Sequence, residues 1–390
     1  MKIFTYLYAV LLIHISIHSN TEIIQEVSAL EFAQRNPQAK VLQCTKDYPF
    51  NFQPYPLYQE YAQKHFPNQG IFRNIYIINA ADSTANFCHY PLWGINGLIF
   101  INNYFVKECQ IKDISPFYLN KTNSLEVHKT SHNYYVNGTL AICSHVYPDC
   151  YGHFMLDVLC QLALLELFNI QYDYLCIPYH QKFMQEALEL WGIDPKKIIP
   201  LTFNITIKAQ NIIMPTSVTE TQMFASNCNY TIDILIQYVS KKLLDSTLKK
   251  KNHLHKNSKI FISRKDAPAN KRIVPNEDEI FQLFEDNGFK RYELTKLSLT
   301  EQILLFHNAE EIVSFVGSGA LNIIFAKPNT KYIEIIQTML DATFFFLANI
   351  FNLNYYYIDA TLNNGIKQSH PVSCAKAIDP KIIKNFLKNI

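Results

Sequence analysis

Short apolar runs alternate with amphipathic segments along the second half of the chain, most cleanly between Lys259 and Gln337. Residues 259–263 (K-I-F-I-S) make an apolar run suited to a buried strand. Asn276 can cap a helix, with Glu279 three residues later completing a capping box. That helix carries Ile280, Phe281 and Phe284 on one face and stops at Gly288. Residues 289–294 read as the next strand. Ser298 and Glu301 form a second capping box and open a helix through Ile303, Leu304 and Phe306. Then come a strand over 311–316, a turn at Gly317-Ser-Gly319, a short helix over 320–326 closed by Pro328, and a strand over 331–336. Strands and helices alternating at these lengths predict right-handed crossovers and a parallel sheet covered on both faces, a Rossmann-like half.

Upstream the pattern is similar but less regular. Residues 139–143 read as a strand, and the helix that follows runs to Phe168, with Asp149 or a neighbour as its cap. Strand-like 172–178, a helix over 181–191 stopped by Gly192, and strands over 197–201 and 210–215 give the amino-terminal lobe a βαβ core. Residues 21–140 carry strand-like runs at 74–79, 97–102 and 131–136, broken by Pro, Asn and Gly, with no catalytic constellation. The lysine-rich run 248–258 reads as a solvated connector. Beyond Gln337, residues 341–351 predict a helix, 355–359 a strand and 380–390 a terminal helix. The expected organisation is a leader over 1–20, an amino-terminal lobe over 21–247 and a carboxyl-terminal lobe over 248–390.

Candidate chemistry falls in two places. The helix after Asp149 is apolar nearly all round except for His153, Asp157 and Gln161, which are spaced by four and so stack on one face. Buried polar groups need partners. The seam is therefore either a satisfied internal His–Asp pair that fixes helix packing, or a row of groups facing a cleft. The second place is the carboxyl edge of the later sheet, where such folds bind ligands. Ser263, Arg264, Lys265, Lys271 and Arg272 follow one strand there, and Gly317, Ser318 and Gly319 follow another. A glycine turn at a helix start offers N–H groups to an anion, and arginine offers bidentate donors. A basic loop alone is usually just solvated, and G-S-G is often only a turn. Together on one edge they suggest a diphosphate site.

The runs S-R-K-D-A, K-R-x-x-x-N-E-x-E, L-S-L-T-E-Q, G-S-G-A-L-N-I-I-F-A-x-P and I-E-I together resemble glycosyltransferase family 61. The resemblance implies an inverting transferase of two-lobed GT-B architecture that uses a nucleotide-sugar donor, a UDP-sugar being expected. Ser263, Arg264 and Arg272 fall on that family's serine-arginine and later arginine, Asn276 and Glu277 on its asparagine-glutamate, and Gly317, Gly319 and Asn322 on its glycine-rich motif. His153 and Asp157 match a histidine-x-x-x-aspartate helix. Two departures stand out: Val316 occupies the place of a usual histidine, and Cys160-Gln161 the place of a usual proline-arginine. By analogy with GT-B folds, the last helix returns to the first lobe.

Composition narrows the classes. With 48% hydrophobic residues over 390 positions the chain is globular, with room for two cores. A net charge of +2 argues against a general polyanion binder, so no nucleic-acid partner is expected. Residues 3–17 are mostly apolar behind Lys2, short for a membrane span and suited to a signal peptide. An uncleaved anchor with N-terminal membrane contact, or a cytosolic first strand, stays open. Secretory entry fits four sequons at Asn120, Asn137, Asn204 and Asn229. Nine cysteines show no zinc spacing, and Cys160 and Cys176 sit in apolar runs as buried hydrophobes. No essential metal or other cofactor is expected.

The mechanism expected is inverting transfer to a glycan or glycoprotein hydroxyl. His153 serves as base and Asp157 as its orienter, or the reverse, while Arg264, Arg272 and the N–H groups of Gly317–Gly319 stabilise the leaving diphosphate. A degenerate nucleotide-sugar or glycan binder and a secreted interaction domain are the alternatives.

Overall fold

The computed structural model describes residues 21–43, 76–89, 97–102, 104–106, 124–128, 132–145, 147–217, 230–250, 259–267, 273–337, 342–360 and 377–389. The leader at 1–20, the connector at 251–258, Lys271, Arg272 and the sequons at Asn120 and Asn229 lie outside the described residues.

The first half contains strands β1 (Thr21–Val27), β2 (Ala39–Gln43), β3 (Tyr76–His89), β4 (Gly97–Ile101), β5 (Tyr104–Val106), β6 (Ser124–His128) and β7 (His132–Ile142), with helix α1 (Ala29–Arg35) between β1 and β2. Helix α2 then runs over residues 151–167. It is followed by β8 (Tyr174–Ile177), α3 (Lys182–Trp191), β9 (Ile198–Pro200), β10 (Ile205–Pro215) and α4 (Tyr230–Lys250). The second half contains β11 (Lys259–Ile262), α5 (Glu277–Glu285), β12 (Lys290–Tyr292), α6 (Leu299–His307), β13 (Glu311–Phe315) and a 3-10 helix at Ser318–Phe325. It closes with β14 (Lys331–Ile336), α7 (Ala342–Ile350), β15 (Asn354–Asp359) and α8 (Pro380–Leu387).

Among the described residues the second half forms a five-stranded sheet ordered β12-β11-β13-β14-β15, parallel throughout. That is the Rossmann-like pattern read from the sequence. The first half differs. Its ten-stranded sheet runs β6-β1-β5-β4-β3-β10-β7-β8-β9, with β2 on β3. Among the described residues, β10-β7-β8-β9 run parallel to their neighbours, and β1 pairs parallel with β5 farther along the sheet. Strand β3 joins β10 antiparallel over nearly its whole length, and β4 and β2 pair antiparallel with β3. The connection from β3 to β4, residues 90–96, is too short for a parallel crossover, so this pair runs antiparallel. The class is mixed α/β with two sheets, and the βαβ pattern is confined in the first half to four strands.

Several local expectations change for identifiable reasons. The runs 131–136 and 139–143 are one strand, β7. Gly138 carries φ +137° within it, and the register with β10 shifts between Ala209 and Asn211, so the Asn-Gly signal marks a bulge rather than a break. Ser298 and Glu301 form their capping box. Asn276 stands at the N-cap of α5, as expected, but its side chain makes no capping bond; it bonds Glu279 and both backbone groups of Ile378 instead, the latter at 2.8 and 2.9 Å. That tether holds the terminal segment beside the second sheet. Helix α8 stays there too, its Ile383 buried in one core with Phe261, Ile280 and Phe284, rather than returning to the first half. The start of the expected connector, residues 248–250, is the end of α4.

The largest apolar core is shared by both halves. It joins α2, α3 and α4 (Leu162, Leu188, Val239) to α6, α7 and the 3-10 helix (Ile303, Leu347, Ile324). Cys160 and Cys176 are fully buried, as their apolar surroundings predicted. No helix among the described residues is long and apolar enough to cross a membrane.

The bulge yields a stability prediction. A Cβ at Gly138 would stand 2.5 Å from Asp173 Oδ2, the atom that accepts from the Thr139 N–H. Gly138→Ala should cost about 1–3 kcal/mol through this clash and the positive φ. A urea unfolding midpoint equal to that of the wild type would contradict it.

Candidate functional site

Helix α2 starts at an N-cap, Cys150, that makes no side-chain capping bond. Of the expected caps, Asp149 or a neighbour, it is the neighbour Cys150 that holds the position, while Asp149 pairs with His180 at 2.6 Å. The helix begins as a single α-turn, Tyr151–His153, passes through a π-turn at Phe154–Val158, and continues as α-helix at Leu159–Leu167. π-Turns are rare and concentrate at functional sites, because the extra residue re-aims side chains. Here the turn contains Asp157.

His153 Nδ1 lies 3.0 Å from Asp157 Oδ2. The Asp157 side chain is 1% exposed and that of His153 36%, so the pair runs from the interior to solvent. Ser217 Oγ donates to Asp157 Oδ1 at 3.3 Å, and His145 Nε2 stands 3.9 Å from Oδ2. The Tyr147 N–H donates to His145 Nδ1 at 3.2 Å, so a neutral His145 carries its proton on the nitrogen that faces Asp157. The two imidazoles stack at 4.1 Å and 14°, with Tyr147 tilted against both. Gln161, last of the seam, accepts from the Ser144 N–H and donates to the Pro215 carbonyl, tying the ends of β7 and β10 together.

His145, His153 and Asp157 also offer ligand atoms within 4.8 Å of one another, close enough to hold a cation. An imidazole binds a metal through a lone pair in the ring plane. Two nearly parallel stacked rings cannot aim those lone pairs at one point without turning. The arrangement suits sharing a proton around one carboxylate better than coordinating an ion.

The second cluster sits at the carboxyl ends of β11 and β13. Glu277 is buried and organises its first loop, accepting from the Ser263 hydroxyl and from the Arg264 N–H at 2.8 Å. Burial raises the Glu277 pKa, against the Ser263 and Arg264 hydrogen bonds and the charges of Arg291 and Lys265. Lys265 turns away to Asp278 at 2.6 Å. Arg264 lies flat on the glycine turn: a Cβ at Gly317 would stand 2.3 Å from its Nη1. The Gly317 φ of 163° is extended, so close approach rather than backbone strain calls for glycine here. Val316, where the resembling family has histidine, is fully buried in the apolar core.

The two clusters meet. Cys150 Sγ lies 3.4 Å from Ser318 Oγ, and Gly152 faces the same hydroxyl. Tyr151 donates its phenol to Asn322 Oδ1 at 2.7 Å, and the Asn322 amide donates to Gln302 Oε1 and the Gly319 carbonyl at 3.2 and 3.1 Å. His153, Asp157, Ser263, Arg264, Gly317, Ser318, Gly319 and Asn322 thus belong to one connected set. Within it Ser263 shapes the arginine loop, and Asn322 clamps the start of α2. His145, Ser217, Tyr151 and Cys150 belong to it as well and were not singled out from sequence. His145 and Ser217 follow β7 and β10 directly. Looking for polar residues just past parallel strands, applied to the first half as it was to the second, would have found both.

Residues 151–333 match the family model described as Glycosyltransferase 61. No curated protein matches the chain.

The junction has a measurable signature. Burial raises the Cys150 thiol, but the His153 charge, the Ser318 hydroxyl and the N–H groups of His153 and Gly152 outweigh it and hold the pKa below the ordinary value. Burial pushes the Cys143, Cys160 and Cys176 thiols up. Thiolate, the reactive form, therefore appears at Cys150 at lower pH than at the other three. Iodoacetamide at neutral pH should alkylate Cys150 first of these four in the folded protein, and Ser318→Ala should move its onset to higher pH. Peptide mass spectrometry showing equal rates at all four would refute the assignment.

Proposed function

We propose, from the match of residues 151–333 to the glycosyltransferase 61 family model, that the chain is an inverting glycosyltransferase whose reacting groups are gathered at the junction of α2 with the glycine turn. The observation that carries the reading is the contact of Cys150 and Gly152 with Ser318, which puts the His153–Asp157 pair beside the turn that cradles Arg264. In this reading a nucleotide-sugar, a UDP-sugar being the first choice, binds with its diphosphate against Arg264 and the N–H groups of Gly317–Gly319. Arg272, expected to share this role, lies outside the described residues.

The transfer follows from these roles. The acceptor hydroxyl oxygen attacks the anomeric carbon as the bond to the nucleoside diphosphate breaks. The hydroxyl proton passes to His153 Nε2, because Nδ1 is engaged with Asp157. Asp157 fixes the ring and offsets the positive charge that forms on it, while Ser217 holds the carboxylate's other oxygen. The electron pair of the broken bond ends on the diphosphate, where arginine and backbone N–H groups stabilise growing negative charge. No step calls on a metal ion.

Two features drew attention to a catalytically degenerate alternative, and both have structural explanations. Val316 belongs to the core, and Gln161 ties two backbone segments together. The reading extends to a GT-B arrangement of the two sheets, a glycan or glycoprotein acceptor, and work in the secretory pathway. The exposed sequon residues Asn137 and Asn204 fit that location.

A panel of nucleotide-sugars tests the proposal on the full chain. One donor should raise Tm and be slowly hydrolysed without acceptor. Arg264→Ala should weaken its binding about 10–100-fold, the scale of a lost charge-assisted hydrogen bond. His153→Ala and Asp157→Ala should each slow hydrolysis about 100-fold or more. Donor affinity unchanged in Arg264→Ala would remove the diphosphate assignment, and stabilisation without turnover would favour the degenerate binder.

A further inference from the structure

We infer that the acceptor is a neutral saccharide that docks in a groove at the carboxyl edge of the first sheet, with Asp149 and His180 selecting it. This rests on the transferase reading and adds the acceptor's place and chemical class. The groove encloses about 440 Å³. Its walls come from three consecutive strand ends: Pro148 and Asp149 beyond β7, Pro178 and His180 beyond β8, and Thr202 and Phe203 beyond β9. Open α/β sheets bind ligands along this edge. Asp149 precedes His153 by four residues, so their Cα atoms are at most about 14 Å apart. A sugar in the groove is therefore within one or two rings' reach of the proposed base.

The lining has two chemical faces. Phe203, half-buried, presents apolar surface, and the buried Pro148 and Pro178 back the groove wall. Asp149 Oδ1 and His180 Nε2 pair at 2.6 Å, each about half exposed, and the Gln181 amide donates to the Asp149 carbonyl at 3.1 Å, which fixes the rim before any ligand arrives. A pyranose matches this division. Its C–H face covers apolar surface, while adjacent hydroxyls donate to the carboxylate and exchange hydrogen bonds with the imidazole and the Thr202 hydroxyl. The carboxylate at the mouth disfavours an acidic sugar. A peptide acceptor is disfavoured as well, because the edge strand beside the groove, β9, has three residues and offers little backbone for an added strand.

Saturation-transfer NMR on the full chain tests this without any donor. The probes are the methyl glycosides of glucose, galactose, mannose and xylose at millimolar concentration, with a serine-containing peptide as comparison. At least one glycoside should bind. Asp149→Asn and His180→Ala should each raise its Kd about 10-fold or more, and Thr202→Trp, which fills the groove while leaving Asp149 and His180 unsubstituted, should abolish binding. Given a hydrolysable donor, the same glycoside should gain one sugar, read by mass. Binding indifferent to all three substitutions, binding of the peptide alone, or binding of no saccharide overturns the inference. Saccharide binding that responds to the substitutions in a protein that hydrolyses no donor would leave the groove standing and remove the transferase reading instead.

Discussion

A carboxylate buried inside an otherwise apolar helix is stable only if fixed donors replace its lost hydration, and Asp157 is such a group. Its partners come from three separate segments. His153 lies on the same helix, Ser217 just past β10, and His145 just past β7. They reach one carboxylate only because β7 and β10 are parallel neighbours that end side by side under α2. Gln161 reinforces this by bonding backbone groups at both strand ends. The π-turn belongs to the same demand, since it re-aims Asp157 without breaking the helix. The need to satisfy one buried charge therefore orders the carboxyl edge of the first sheet, which is where both the proposed base and the proposed acceptor groove lie.

The second sheet meets this edge through close approach and apolar packing. Arg264 can lie on the glycine turn because residue 317 has no side chain. Tyr151, Asn322 and Gln302 form a short hydrogen-bonded chain from the first turn of α2 into α6. Glu186 of α3 adds a charged cap to the start of α6, accepting from the Leu299 N–H at 2.6 Å. Beneath these polar ties runs the core common to both halves. The proposed donor and base groups are thus held by the same packing that joins the sheets, and substitutions at that junction disturb fold and chemistry together.

The two halves differ in how far their sequence foretold them. Every strand of the second sheet was expected from local sequence, and β14 matches its expected bounds residue for residue. Local signals suffice there, because each strand is fed by its own helix and pairs with a parallel neighbour. The first sheet's flank depends on pairings far apart in sequence, β1 with β6 and β3 with β10, and β3 in particular runs well past the short apolar segment that announced it. Asn276 shows the same limit at one residue. Its type and position suit a cap, yet Ile378, about a hundred residues later, claims its amide.

The sequence by itself determined the alternation of strand and helix after residue 259, the four-residue spacing of His153, Asp157 and Gln161, the glycine turn, and the family likeness. Each is a matter of local periodicity or a short motif, and those survive without coordinates. Only the tertiary structure decided that Ser217 and His145 attend Asp157, that Arg264 rests on Gly317, and that Cys150 touches Ser318. These pairings join residues from separate elements, up to 168 positions apart. Spacing along the chain carries no information about them, because they follow from which strands end together and how closely two backbones can pack.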